Sequence, residues 1–120
     1  MVQKLEIDGV HMDVGKDIKR YVHKKIGRLD KYIPRAVRGS AHLEVKLKEG
    51  KAKTKQTRTC EVILHLPHDT ITISETTINM FAAVDIVEEK LKNQLHRYKQ
   101  LHANPALHRR LLAKLKRQPA

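Results

Sequence analysis

Residues 79–101 carry the pattern that most limits how this chain can fold. The segment reads NMFAAVDIVEEKLKNQLHRYKQL, and an apolar side chain recurs in it every three or four residues. The recurring positions are Met80, Val84, Val87, Leu91, Leu95 and Tyr98. At about 100° per residue these positions form a single stripe, which is the pattern of a helix lying on a sheet. The segment therefore predicts a long amphipathic helix with one face in a core.

Basic side chains border this stripe on both sides. Lys90 and Arg97 are seven residues apart, which is about two helical turns, and so lie on one flank. Lys92 and Lys99 repeat the same spacing on the other flank. Glu89 is the last acidic residue of the chain, so no carboxylate side chain offsets the cations that follow it. The C-terminal part is therefore predicted to hold a polyanion.

Composition narrows the class of protein further. The 120 residues fit one domain that buries roughly two thirds of its unfolded surface. The formal net charge of +12 favours nucleic acid or an anionic membrane surface as the partner. No apolar run reaches a membrane-spanning length of roughly 18 residues, and MVQKLEIDG lacks the order of a signal peptide, so we expect a cytoplasmic protein. The single cysteine, Cys60, excludes a disulfide framework and a multi-cysteine zinc module.

The remaining segments predict one further helix and four strands. Period-two alternation predicts strands at residues 2–10, 41–48, 60–66 and 70–74. Apolar residues spaced three or four apart predict a first helix over about residues 14–32, with Asp13 as its N-cap, and Thr76 or Thr77 is expected to cap the second helix. The core positions of the first helix are Ile18, Val22, Ile26, Leu29 and Ile33. Residues 49–58, EGKAKTKQTR, are polar and basic, which indicates a loop or an extended hairpin tip without a core.

This order of elements predicts an α+β fold. Strand, helix, three strands and helix form a two-layer sandwich in which two helices cover one face of a four-stranded sheet, similar to a double-stranded-RNA-binding domain with an extra strand in front. We expect a domain over residues 1–102 and a basic tail over 103–120 that is flexible or becomes helical on binding. Lys24, Lys25, Arg28 and Lys31 form a basic arc on the first helix, which two helices on one face would bring near Lys90 and Arg97.

Two segments resemble the ribosome hibernation promoting factor family, also called protein Y or ribosome-associated inhibitor A. One is MFAAVDIVEEKLKNQLHRYK, placed after a hairpin that ends in ITISETT, and the other is HMDVGKDIKRYVHKKIGRLDKYI with its RLDKY close. The resemblance covers about residues 1–101. It differs from the family pattern at Asn79, where an acidic residue commonly stands. The chain ends at Ala120 without the separate C-terminal domain of long members, so it is similar to the short type, although its tail is basic.

The resemblance implies a function and a set of contacts. Members of this family bind rRNA of the small ribosomal subunit in the channel used by mRNA and tRNA, and hold the ribosome inactive under stress or in stationary phase. By position, Lys25, Arg28, Lys90 and Arg97 stand where the family has basic residues facing rRNA, with Lys31, Lys92 and Lys99 in support. The expected partners are the small subunit and the whole ribosome, with no membrane and no small-molecule substrate.

Aromatic content bears on how RNA is held. Only Phe81, Tyr21, Tyr32 and Tyr98 could serve as stacking platforms, and Tyr98 lies on the predicted core stripe. Binding is therefore expected through phosphates, 2′-hydroxyls and the shape of folded RNA.

Other functions are less favoured by the sequence. A general structured-RNA or nucleoid-binding module remains the alternative. His65 and His68 have a metal-like spacing without a second ligand pair, and Asp85, Glu88 and Glu89 could hold Mg²⁺ but more often form helix ion pairs. Because no phosphate loop, GxSxG elbow or HExxH motif is present, we expect neither an enzyme nor a cofactor.

Overall fold

The computed structural model describes residues 4–10, 12–67 and 69–103. The strands are β1 (Lys4–Val10), β2 (His42–Ala52), β3 (Lys55–Leu66) and β4 (Asp69–Thr77). The helices are α1 (Lys16–Lys25), α2 (Arg35–Arg38) and α3 (Met80–Ala103), and a 3₁₀ helix spans Gly27–Tyr32. This order contains the predicted strand, helix, three strands and helix. The tail predicted from residue 103 onward lies, beyond Ala103, outside the described residues.

The four strands form one mixed sheet in the order β1-β2-β3-β4. β1 pairs with β2 in parallel, with Leu5 opposite Leu43, and the two later pairings are antiparallel. A parallel neighbour requires a crossover connection, which α1 provides between β1 and β2. Tight turns suffice for the antiparallel strands. The predicted α+β two-layer architecture is therefore confirmed.

The core lies between the helices and one face of the sheet. Alternate residues of β2 and β3 point into it, including Leu43, Val45, Val62 and Leu64, because side chains alternate between faces along a strand. The α1 positions Ile18 and Val22 and all six predicted positions of the α3 stripe are buried against them, as is Cys60. The periodic patterns thus identified the buried faces of α1, β2, β3 and α3. No helix in the described part of the chain has the length and apolar character of a membrane span.

The first helix differs from the prediction of residues 14–32. α1 ends at Lys25, and the chain continues from Gly27 to Tyr32 as a 3₁₀ helix. Glycine disfavours the helix interior by about 1 kcal/mol, and the tighter winding keeps positions three apart on one face. Ile26 and Leu29 are accordingly both buried. The predicted Asp13 cap is also wrong, because Gly15 occupies the N-cap position without a side-chain hydrogen bond.

The start of α3 is capped two or three residues later than predicted. Asn79 Oδ1 accepts a hydrogen bond from the Phe81 N–H at 2.9 Å, which makes Asn79 the N-cap rather than Thr76 or Thr77. Thr77 supports this cap, since its Oγ1 accepts a hydrogen bond from the Asn79 N–H at 3.0 Å. Threonine and asparagine both offer a short polar side chain, so the sequence pattern alone does not distinguish them at this junction.

Candidate nucleic-acid interface

A basic groove runs between α3 and the pair formed by α1 and the 3₁₀ helix. It is shallow, with a volume of about 230 Å³. Five cationic side chains line it together with Leu29, Tyr32, Glu88 and Glu89. These cations are Lys24, Lys25, Arg28, Lys31 and Lys92. Five positive charges face two carboxylates, so the groove has a formal charge of +3 and suits a phosphate-bearing ligand.

Tyr32 supports two of these cations. The Nζ of Lys31 lies 5.2 Å from the centre of its ring, and the Nζ of Lys92 lies 5.5 Å from the same centre. His96 packs on the ring with centroids 5.0 Å apart. Each cation within about 6 Å of an aromatic face gains roughly 0.5–1 kcal/mol at an exposed site. One half-buried tyrosine thus holds lysines from two different elements close together.

A second contact fixes α1 against α3 beside the groove. The Tyr21 hydroxyl donates a hydrogen bond to Asp85 Oδ1 at 2.5 Å, and Lys25 Nζ lies 4.0 Å from the same oxygen. This hydrogen bond to a carboxylate, aided by burial, raises the pKa of Tyr21 to about 12. The Tyr21 ring also packs edge-on against Phe81 at 5.0 Å. α1, which carries Lys25, is therefore held in a defined position relative to α3, and the 3₁₀ helix that carries Arg28 follows it directly.

The two flanks of α3 have different surroundings. Lys92 faces the 3₁₀ helix, and Lys99, seven residues later, is on that same flank. Lys90 instead pairs with Glu75 of β4, on the side away from α1, and Arg97 shares its flank by the same spacing. The expectation that the α1 arc would lie near Lys90 and Arg97 is therefore wrong. α3 packs on β3 and β4, so only its Lys92 flank faces α1.

The predicted cations fall into two sets, one that lines the groove and one on the opposite flank of α3, where Lys90 and Arg97 lie. Lys25, Arg28, Lys31 and Lys92 line one groove. Lys24 and Tyr32 complete it and were absent from the predicted contacts. A sequence signal for Lys24 existed, since it belongs to the basic arc of the first helix. The position of Tyr32 between cations of two elements depends on the 3₁₀ helix and could not be read from the sequence.

The aromatic residues offer little surface for base stacking. Tyr98 is buried in the core, as predicted, and Tyr21 is engaged by Asp85 and Phe81. Phe81 is 41% exposed. This distribution agrees with an interface that holds phosphates rather than splayed bases.

Two of the groups considered for metal binding, His65 and Asp85, have other partners. His65 Nε2 lies 2.8 Å from Glu44 Oε2 on the sheet face away from the helices, and this hydrogen bond lowers the pKa of Glu44. His68 lies outside the described residues. Asp85 is engaged by Tyr21 and Lys25. Among residues 4–10, 12–67 and 69–103, no cluster of three histidine, cysteine or acidic side chains is arranged to hold a metal ion.

Sequence comparison matches most of the chain to one protein family. Residues 5–102 match the family model described as Sigma 54 modulation protein / S30EA ribosomal protein. The ribosome hibernation promotion factor of Lactococcus lactis subsp. cremoris is 35% identical over 97 residues, which are 80% of this chain and 49% of that protein. The factor of the same name from Staphylococcus aureus is 30% identical over 96 residues, or 80% and 48% of the two proteins. The chain spans about half the length of these curated relatives.

Solved structures share the fold. A ribosomal subunit interface protein from Coxiella burnetii superposes with a TM-score of 0.67 at 21% identity, covering 82% of this chain and 99% of that one. The N-terminal domain of Thermus thermophilus Protein Y superposes with a TM-score of 0.59 at 25% identity, covering 78% and 94%. Both structures therefore correspond to nearly whole domains of the same architecture.

Proposed function

This chain belongs to the Sigma 54 modulation protein / S30EA ribosomal protein family, and we propose that it is a ribosome-associated hibernation factor. In this proposal it binds rRNA of the small ribosomal subunit in the mRNA/tRNA channel and inhibits translation under stress or in stationary phase. It acts in the cytoplasm by occupying the channel and catalyses no reaction. The names of its relatives in Lactococcus lactis and Staphylococcus aureus support ribosome hibernation as the process.

The basic groove is the observation that carries this proposal. Its cations come from α1, the 3₁₀ helix and α3, and aromatic contacts fix the spacing of several of them. Fixed cations on rigid elements match the phosphates of folded RNA at a lower entropic cost than mobile side chains. The proposed contacts are Lys25, Arg28, Lys31 and Lys92, with Lys99 on the same flank. Lys90 and Arg97 remain a prediction for the opposite flank.

Cosedimentation with purified ribosomal subunits tests the proposal. The protein is expected to bind the small subunit and whole ribosomes in preference to an equal mass of naked structured RNA or duplex DNA. If about six to ten phosphates are neutralised, the affinity should fall by roughly 10³- to 10⁵-fold between 50 and 200 mM salt. The same protein, added to a purified translation reaction, should slow synthesis at concentrations that saturate the small subunit.

Two outcomes would contradict the proposal. Equal binding to ribosomes, free RNA and DNA would favour the alternative of a general structured-RNA or nucleoid-binding module. An affinity that barely changes with salt would exclude a phosphate-based contact of any kind.

A further inference from the structure

The β2–β3 hairpin extends past both of its neighbouring strands. β1 pairs with β2 only as far as Lys48, and β4 pairs with β3 only from Arg58 onward. Residues 50–57 pair with one another alone, from Gly50–Thr57 to Ala52–Lys55. Three residue pairs at about 3.4 Å per residue, together with the turn that closes them, give a two-stranded projection of roughly 13 Å. The sequence of this projection contains no apolar side chain larger than alanine, so it has no core of its own.

The projection carries three cations for which the described part of the chain shows no neutralising partner. Glu49 pairs with Arg58 at 3.5 Å. By contrast, the described residues provide no hydrogen-bond or ion-pair partner for the ammonium groups of Lys51, Lys53 and Lys55, all three of which are exposed. An isolated two-stranded hairpin is marginally stable in water, and clustered positive charges lower its stability further. A polyanionic partner would relieve this repulsion.

The three lysines surround the end of the hairpin. Lys51 shares a face with Glu49 and Arg58, whereas Lys55 lies on the opposite face, because side chains alternate along each strand. Lys53 stands in the turn with a φ of +57°, a left-handed conformation that a side chain such as asparagine tolerates better than most. The cations therefore point in several directions from one tip, which suits a curved phosphate backbone better than a flat surface.

This tip is distant from the basic groove. The end of β4 at Thr77 pairs with Arg58, so the hairpin emerges near the start of α3. The groove residues Glu88 to Lys92 follow 8 to 12 residues after Met80, or about 12–18 Å along the helix axis. Adding the hairpin projection places the two basic sites on the order of 25–30 Å apart. One folded RNA that reached both sites would gain affinity through effective concentration.

We propose that the β2–β3 hairpin tip, through Lys51, Lys53 and Lys55, is a second phosphate-binding contact that grips folded RNA independently of the groove. The inference rests on the proposed function for the identity of the RNA, which is then rRNA of the small subunit. We expect no base recognition by the hairpin. The segment carries no aromatic side chain for stacking, and its one guanidinium group, that of Arg58, is paired with Glu49.

Charge removal at the tip tests this contact. The triple variant Lys51→Gln, Lys53→Asn and Lys55→Gln keeps the hairpin geometry, with asparagine chosen for the left-handed position. Each phosphate contact contributes about 0.7 to the logarithmic salt slope, or roughly fourfold in affinity at 150 mM salt. The variant should therefore bind the small subunit about 60-fold more weakly, with a salt slope reduced by about 2. The matched control, Lys4→Gln, Lys19→Gln and Arg20→Gln, removes three exposed charges outside both sites and should bind nearly normally.

The outcomes separate the two proposals. If the wild type binds the small subunit while the hairpin variant and the control bind alike, the hairpin contact is refuted and the proposed function stands. If the wild type does not bind ribosomes, the proposed function fails, and the same comparison on a structured RNA decides whether the hairpin still holds phosphates.

Crosslinking locates the partner directly. Cys60 is buried and its pKa is raised to about 12 by that burial, so an added thiol can be modified selectively. A photoreactive group on Thr54→Cys at the turn should crosslink to rRNA. The same group on Thr72→Cys, on the sheet face away from the helices, should crosslink much less. Crosslinks from residue 54 to ribosomal protein alone, or equal RNA crosslinks from both positions, would overturn the proposal.

Discussion

Neutralising the groove gives the sharpest test of where this protein holds RNA. The variant Lys25→Gln, Arg28→Gln and Lys92→Gln leaves Lys24 and Lys31 facing Glu88 and Glu89, so the formal charge of the groove falls from +3 to zero. Three lost phosphate contacts at roughly fourfold each should weaken binding to the small subunit about 60-fold at 150 mM salt. This loss corresponds to about 2.4 kcal/mol of binding free energy.

The matched comparison is the opposite flank of α3. Lys90→Gln with Arg97→Gln removes two cations, but Lys90 is already paired with Glu75, so at most one phosphate contact and about fourfold in affinity should be lost. Both variants should keep the thermal stability of the wild type to within a few degrees, because exposed ion pairs are worth about 1 kcal/mol or less. Fluorescence anisotropy with labelled protein and small subunits, repeated at several salt concentrations, measures both effects. A larger loss from the flank variant than from the groove variant would refute the assignment of the groove as the main contact.

Three further predictions concern the scaffold that positions the groove. Replacing the fully buried Leu91 with alanine should lower the free energy of unfolding by about 2–5 kcal/mol, read from urea denaturation, and a loss below 1 kcal/mol would contradict its place in the core. Tyr21→Phe removes the hydrogen bond to Asp85. Because the folded-state pKa of Tyr21 is raised from about 10 to about 12, this hydrogen bond stabilises the fold fully below pH 10, and its stabilisation disappears as the pH rises from about 10 to 12. The difference in stability between wild type and variant should therefore be full below pH 10 and vanish across that window. Asn79→Ala should cost about 1 kcal/mol through loss of the cap on the Phe81 N–H, whereas Asn79→Asp should be tolerated, and equal losses in both would argue against capping.

The buried faces of α1, α3, β2 and β3 were predictable from the sequence because burial imposes a period. A helix on a sheet must place apolar residues at spacings of three and four, and Val84, Val87 and Leu91 follow that rule whatever lies beneath them. Strand residues such as Leu43 and Val45 must alternate for the same reason. The fold class followed from the order of these patterns, and the family followed from two local segments.

The break in the first helix was less predictable. Ile26, Leu29 and Ile33 fit an α-helical spacing closely enough to hide the change to 3₁₀ winding at Gly27. The distinction matters at the site, since this winding presents Tyr32 to Lys92. Helix propensity indicated this break only weakly, because one glycine destabilises a helix by about 1 kcal/mol and packing often outweighs that amount.

Periodicity alone establishes that α3 has one buried stripe and two basic flanks, Lys90 with Arg97 and Lys92 with Lys99. It could not determine which flank faces α1, because the two pairs have the same seven-residue spacing and border the stripe symmetrically. Only the order of the strands decides this. β1 pairs in parallel beside β2, and α3 packs on β3 and β4, so α1 lies next to the Lys92 flank while Lys90 meets Glu75 on β4. Periodicity records which residues avoid water, whereas the meeting of charges from distant segments depends on how the layers are stacked.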